Sequence, residues 1–243
     1  MHNKVPSLCS LSPPLAGEIV APPIPEYLKK VYWWAYLHPK AVHLFEREWL
    51  VNLILWGNYQ PLCDAALADL RGAGQQRILQ VACVYGDLTE RLLGLMEPQS
   101  RLDVIDVAPI QLDNLQKKLA PDTRLHLHQQ DSRSLSFAEG SFDRTLLFFL
   151  LHEQPEEVRR ATLAEALRVT RPGGKVVIVD YHRPLPGHPL YLVMKMILGT
   201  LEPFALDLWR QEIRDYLPPT ANLVSFDKVT SFRGLYQKIV IQP

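Results

Sequence analysis

From Gln76 onward the chain alternates short apolar runs with helical stretches, and this alternation constrains the fold more than any other feature. Arg77 to Cys83 reads as a buried strand and Asp87 to Leu93 as a capped helix. Leu102 to Val107 is a second strand, followed by a helix from Ile110 to Leu119. Arg124 to Gln129 gives a third strand, and Thr145 to Leu150 a fourth, entered through Ser141-Phe142-Asp143-Arg144. A helix from Pro155 to Val169 ends at Arg171-Pro172-Gly173-Gly174, and Lys175 to Asp180 is a fifth strand. Repeated strand–helix units imply a parallel sheet with right-handed crossovers. Residues 222–230 and 234–242 pair around Arg233-Gly234 as a hairpin that closes the sheet.

The expected architecture is therefore α/β, a three-layer sandwich on a mostly parallel seven-stranded sheet with a C-terminal antiparallel hairpin. Residues 1–25, rich in proline, read as a disordered leader. Residues 26–72 read as an N-terminal helical cap carrying Tyr27, Tyr32, Trp33, Trp34, Tyr36, Phe45, Trp49, Trp56 and Tyr59. Within it, Trp49 to Trp56 is apolar nearly all round, which calls for cover on more than one side or an apolar ligand. Residues 73–243 form the main domain, with an apolar insertion at about 186–217.

The formal net charge is zero, so no electrostatic footprint for nucleic acid is present. Cys9, Cys63 and Cys83 are scattered and suit a reducing compartment. With no secretory segment and no apolar run of roughly 18 residues, a cytoplasmic location is expected.

The segment Gln80-Val81-Ala82-Cys83-Val84-Tyr85-Gly86 joins the first strand to its helix. A strand, a tight turn and a helix N-terminus bring backbone close to a cofactor. The whole order from residue 76 to 243 resembles the class I S-adenosylmethionine (SAM)-dependent methyltransferase fold, which is Rossmann-like. That resemblance implies a turn of the form acid-x-Gly-x-Gly-x-Gly. Here Gln80 stands at the acid position, Ala82 and Val84 at the first two glycines, and only Gly86, followed by Asp87, is kept. Asp106, with Val107 beside it, matches the acid that binds the ribose hydroxyls, because one carboxylate accepts from both. Asp131 and Ser132 match the position beside the adenine amine.

Over its whole length the chain is similar to the rhodoquinone biosynthesis proteins, a divergent branch of that superfamily. The similarity rests on Tyr32-Trp33-Trp34-Ala35-Tyr36, Leu53-Ile54-Leu55-Trp56-Gly57-Asn58, Val81 to Asp87, Phe148 to Pro155, Val179 to Pro184 and Leu201-Glu202-Pro203-Phe204. It implies an enzyme that converts ubiquinone to rhodoquinone, replacing a ring methoxy by an amino group, with SAM as amino donor and manganese (Mn2+) required. The fold alone does not imply this chemistry.

Amino transfer needs the SAM nitrogen neutral, since an ammonium has no lone pair. A carboxylate nearby would hold the proton; a neutral amide such as Gln80 would not. Ala82 and Val84 add bulk where backbone would otherwise approach the methionine part. The second reactant is expected where strands four and five end, at His152-Glu153 and at Asp180-Tyr181-His182. Asp180, His152, His182 and Glu153 are the candidate metal ligands, for an ion that polarises a quinone carbonyl. His182 or Asp180, if free of metal, is the candidate base. His152 and Glu153 could equally begin the next helical turn. Tyr85 either stacks on quinone or cofactor or packs under the cap. His38, His43, His126 and His128 carry no assigned chemistry.

Between Pro189 and Trp209 large apolar residues dominate, among them Leu190, Leu192, Met194, Met196, Ile197, Leu198, Leu201 and Phe204. With the aromatic cap they either line a channel for an isoprenoid tail, form an ordinary core or dip into the membrane interface. No basic patch adjoins them in sequence, so a membrane contact would be weak and peripheral, at the inner face. The competing readings are a conventional methyltransferase acting on a quinone-like or other apolar small molecule, and a non-catalytic quinone-binding relative.

Overall fold

The computed structural model describes residues 22–243, so most of the proline-rich leader lies outside the described residues. One seven-stranded sheet runs in the order β3-β2-β1-β4-β5-β7-β6. Its strands are β1 (Arg77–Val81), β2 (Arg101–Asp106), β3 (Leu125–Gln129), β4 (Phe142–Phe148), β5 (Thr170–Tyr181), β6 (Ser225–Ser231) and β7 (Tyr236–Gln242). The first five are parallel, and β7 lies antiparallel between β5 and β6. The order reverses between β1 and β4, and ligands of open α/β sheets lie outside the strand C-termini at that point.

Helices cover both faces. On one side α4 (Tyr59–Leu70), α5 (Leu88–Leu95), α6 (Pro109–Lys118) and α8 (Tyr191–Leu201) pack on Ile78, Leu102, Val104, Leu146, Val177 and Val179. On the other, α7 (Glu156–Val169) packs on Leu79, Val81, Leu147, Val176 and Ile178. β1, β2, β4 and β5 are buried on both faces, so they read as continuous apolar runs, not as alternating ones. Burying them supplies most of the driving force, at roughly 25 cal/mol per Å² of apolar surface.

The cap is built from α1 (Glu26–Val31), a π-helical turn at Trp33–Leu37, α2 (Pro39–Phe45) and α3 (Glu48–Ile54), ahead of α4. Of the two alternatives for Trp49 to Trp56, cover on several sides is not found, since α3 has no buried residue and Trp49 and Leu53 are exposed. The facing of an apolar ligand stays open, since Val51, Leu53, Ile54, Leu55 and Trp56 line a cavity. α3 starts and ends without side-chain caps and leans its inner edge on the site described below.

Gly86 is fixed by both conformation and contact. Gly86 has φ of +84°, and a Cβ there would lie 2.4 Å from the Tyr59 hydroxyl. That hydroxyl donates to the Tyr85 carbonyl and accepts the Leu88 N–H at 3.1 Å, so Tyr59 of α4 satisfies the open start of α5.

Candidate active site

A cavity of about 600 Å³ opens at the C-terminal ends of β1, β2, β4 and β5. One wall holds Ala82, Val84, Tyr85, Asp106, Val107, Asp131 and Ser132. Its floor holds His152, Glu153, Tyr181 and Glu202, and its outer wall Tyr36, Leu53, Trp56, Phe149, Met194 and Leu201.

The β1 turn keeps the shape of a glycine turn without the glycine. Ala82 has φ of +72°, in the left-handed region, and its N–H donates to the Ile105 carbonyl at 2.9 Å. A Cβ in that region costs roughly 1–2 kcal/mol. Trp56 and Phe149, also on the cavity wall, share positive φ at +53° and +52°. Strain of this kind gathers at functional sites. Lys118 of α6 then pins the turn, donating to the Gly86 carbonyl at 2.7 Å and the Val84 carbonyl at 3.2 Å. Glu46 of the cap accepts from Lys118, from the Gly86 N–H at 3.1 Å and from Asn114 at 2.5 Å. The cap is thus tied to the loop it covers.

Asp106 sits at the end of β2 as expected. Its Oδ2 accepts the Cys83 N–H at 2.9 Å and its Oδ1 the Ala108 N–H at 2.8 Å. Burial pushes its carboxyl up to about 6 against the pull of those N–H groups. It faces the cavity and fits an acceptor of ribose hydroxyls. Asp131 also lines the cavity, but Arg133 engages both of its oxygens at 3.0 Å. Ser132 is shared with Thr162 at 2.8 Å.

Three cofactor-facing assignments are corrected. Gln80 is wholly buried behind the turn, its amide donating to the Ala82 carbonyl and accepting from Thr89, both at 3.0 Å. Gly86 and Asp87 shape the start of α5 and do not line the cavity. β1 ends at Val81, and from Ala82 the chain turns outward, so only the residues beyond Val81 reach the opening.

At the floor, Asp180 is fully buried at the end of β5. Its Oδ2 accepts the Leu151 and His152 N–H groups at 2.9 and 3.3 Å, and its Oδ1 the Tyr181 N–H at 2.7 Å. The same Oδ1 meets His152 Nδ1 at 2.9 Å. Burial alone would favour the neutral imidazole, but the Asp180 carboxylate outweighs it and holds the pKa of His152 up at about 9. Glu153, with Oε1 3.7 Å from His152 Nε2, is pushed well above the usual carboxylate range by burial and accepts from the Tyr36 hydroxyl. Glu202 is likewise raised by burial, and its Oε2 is buried with no hydrogen-bond partner among the described residues.

Fully buried Arg159 sets this floor. It donates to the carbonyls of Leu151 at 2.9 Å, Gln154 at 2.9 Å and Phe204 at 3.0 Å, which fixes the turn bearing His152 and the chain after Glu202.

His182 does not join the floor. Past Tyr181 the chain leaves the sheet, and His182 bonds the Gly234 carbonyl at 2.8 Å and approaches Lys228 at 3.0 Å. The metal expectation is corrected with it: among the described residues no group of three or more His, Cys, Asp or Glu could hold a metal ion. Asp180 spends its oxygens on N–H donors, and His152 spends Nδ1 on Asp180. The residues present do not fit the Mn2+ centre.

Tyr85 packs under the cap. Its ring stacks on Tyr36 at 5.8 Å and Phe45 at 6.0 Å between centroids, while its hydroxyl donates to the Ala35 carbonyl and accepts from Gln111. Burial pushes that hydroxyl upward, which unsuits it for proton transfer. His128 serves structure, bonding buried Asp103 at 2.7 Å.

Sequence reasoning assigned no role to Tyr36, Glu46, Gln111, Lys118, Arg159 and Glu202. Tyr36 and Glu202 stood inside the stretches that carried the whole-chain resemblance, and that was the available signal. The insertion also divides: Met194, Ile197, Leu198 and Leu201 line the cavity, whereas Leu192 and Met196 point outward.

Comparison with known proteins agrees with this geometry. Residues 78–174 match the family described as "Methyltransferase domain". The chain is 28% identical over 212 residues to the ubiquinone/menaquinone biosynthesis C-methyltransferase UbiE of Coxiella burnetii, covering 84% of this chain and 77% of that one. It is 24% identical to the demethylmenaquinone methyltransferase of Lactococcus lactis, over 71% of this chain and 67% of that one. Among solved structures, human N-acetylserotonin methyltransferase in complex with SAM superposes with a TM-score of 0.61 at 12% identity, over 89% of this chain and 62% of that one. Residues 78–174 thus carry a methyltransferase-domain match, and the strand order and the superposition give the chain the methyltransferase fold.

Proposed function

We propose that this protein transfers a group from SAM to the ring of a quinone that carries an apolar tail. One observation carries the reading: a single cavity joins Asp106 and the β1 turn to an apolar, aromatic-walled chamber with His152 at its floor. The relatives named for ubiquinone and menaquinone biosynthesis support a quinone ring as the acceptor. A cytoplasmic location with peripheral membrane contact belongs to this proposal.

SAM supplies an activated methyl group and an amino group. Asp106 accepts the ribose hydroxyls, and the strained turn at Ala82 places Ala82 and Val84 at the same end of the cavity. Tyr36, backed by Tyr85, and Phe149 exclude water and offer flat faces to a ring. His152, kept protonated by Asp180, donates Nε2–H to a ring oxygen and draws electron density from the ring. This is the polarising role first assigned to manganese. Glu153, held by Tyr36, is a second proton carrier beside Nε2.

Two group transfers are compatible with the site. Methyl transfer to a ring carbon, which takes the ring in its electron-rich hydroquinone form, expels the ring proton and releases SAM as its thioether, is favoured by the relatives, whose names describe C-methylation. Amino transfer would give rhodoquinone from ubiquinone: the neutral SAM nitrogen adds to the ring carbon, methanol leaves, and loss of a Cβ proton breaks the N–Cα bond and releases the rest of SAM as an unsaturated acid. Gln80, next to last in β1, favours it, because no carboxylate at that position holds a proton on the amine. The test is incubation of purified protein and SAM with a short-tailed ubiquinone or with its ring-demethylated precursor, followed by quinone masses. Amino-for-methoxy exchange lowers the mass and methylation raises it. A quinone carrier changes neither and defeats the proposal.

A further inference from the structure

Outside the cavity, α3 and α8 present apolar surface to solvent. Leu192 is 76% exposed, Met196 and Leu53 are each 64%, and Trp49 is 58%. The Trp56 indole donates to the Met194 sulfur at 3.1 Å, which sets the end of α3 against α8. Leu53, Ile54, Trp56 and Leu201 are exposed and also line the cavity, so the apolar surface runs unbroken from the outside into the chamber.

We propose that this rim is a docking face for an anionic lipid bilayer, seating the cavity mouth on the acyl region. Charge selects this occupant. Between His182 and Leu201 the only charged side chains are Arg183 and Lys195, both exposed and cationic. The fold adds exposed Arg233, whose carbonyl accepts the Leu185 N–H at 2.9 Å and so brings it beside this segment. At the start of α3 exposed Arg47 and Glu48 offset each other, so the excess charge bordering this tryptophan-bearing apolar strip is positive, the composition of interfacial helices. A bilayer on this face delivers apolar ligands into the chamber, whereas a folded partner would seal it. The inference extends the quinone reading but is measured without substrate.

The test is co-sedimentation of the whole chain with phosphatidylcholine vesicles, with and without about a quarter phosphatidylglycerol, with tryptophan fluorescence read in parallel. Expected are vesicle binding strengthened by phosphatidylglycerol, a blue shift, and loss of affinity by about tenfold or more in the double variant Leu192→Asp/Met196→Asp. Leu95→Asp, at an exposed leucine of α5 outside the cavity lining, should bind vesicles like the parent. SAM binding by calorimetry should be equal in all three proteins, which shows that they are folded and leaves the group-transfer reading untouched. Absence of vesicle binding, or equal binding by the double variant, overturns the proposal. A dimer abolished by the double variant, with no vesicle binding, assigns the face to a second copy instead.

Discussion

His152 Nδ1 lies 2.9 Å from Asp180 Oδ1 at the floor of the cavity, and Asp180 is fixed there by three backbone N–H groups. The pair orients the imidazole so that Nε2 faces the chamber and Glu153. His152→Gln should lower turnover by about 10²–10⁴-fold while leaving SAM affinity nearly unchanged, as measured by steady-state kinetics beside calorimetry. Because Asp180 holds His152 protonated up to about 9, activity that needs the imidazolium should fall as pH rises through that value.

The same pair predicts the pH dependence of stability. The pKa of His152 is raised on folding, so its contribution is fully present below the unfolded value of about 6.5 and lost as pH rises toward 9. Glu153 is also raised by burial, so its ionisation costs stability in the same direction. The melting temperature should therefore fall between about pH 6.5 and 9. The fall should be shallower in Glu153→Gln, as read by differential scanning calorimetry.

Asp106 gives a prediction on the acid side. Its carboxyl is pushed up to about 6 by burial, and it accepts well only when ionised. SAM affinity should weaken as pH drops through about 6, and Asp106→Asn should weaken it roughly tenfold at pH 7.5. Calorimetric titration across pH measures both.

Ala82→Gly should raise stability where glycine substitutions usually lower it. The left-handed backbone at φ of +72° costs alanine more than glycine loses in chain entropy. A gain of about 1 kcal/mol, or roughly 2–4 °C in melting temperature, is expected. If quinone modification falls in the same variant, the Ala82 side chain serves the site and not the turn.

Arg159→Met should destabilise the protein by about 3 kcal/mol, since it strips charged donors from three carbonyls in a dry interior. Because these carbonyls hold the turn before His152 and the chain after Glu202, turnover measured well below the melting temperature should fall as well.

The sheet was legible because β1, β2, β4 and β5 are apolar runs and helical stretches separate β1 from β2, β2 from β3 and β4 from β5, and parallel order follows from that spacing. That Asp106, His152 and Asp180 lie at one edge of the sheet was legible because its strand ends meet there, but the His152–Asp180 hydrogen bond was not, since the same convergence reads as a metal site. The position of Gln80 was not, since a strand buried on both faces gives no alternation to say where its side chain points. His182 misled for a related reason: two residues after Asp180 it would share a face, but β5 ends at Tyr181 and the rule ends with it. The Tyr36–Glu153 contact spans 117 positions and depends on how the cap folds back, which no local pattern encodes.

The most direct test of the account uses SAM labelled both in its methyl carbon and in its amino nitrogen, with purified protein and a short-tailed ubiquinone or its ring-demethylated precursor. The account predicts that label passes to the quinone and that Asp106→Asn and His152→Gln suppress the transfer. Nitrogen label with loss of a methoxy group assigns the amino transfer that Gln80 favours, and methyl label assigns the C-methylation of the relatives. A quinone recovered without either label, from protein that binds both ligands, would contradict the account.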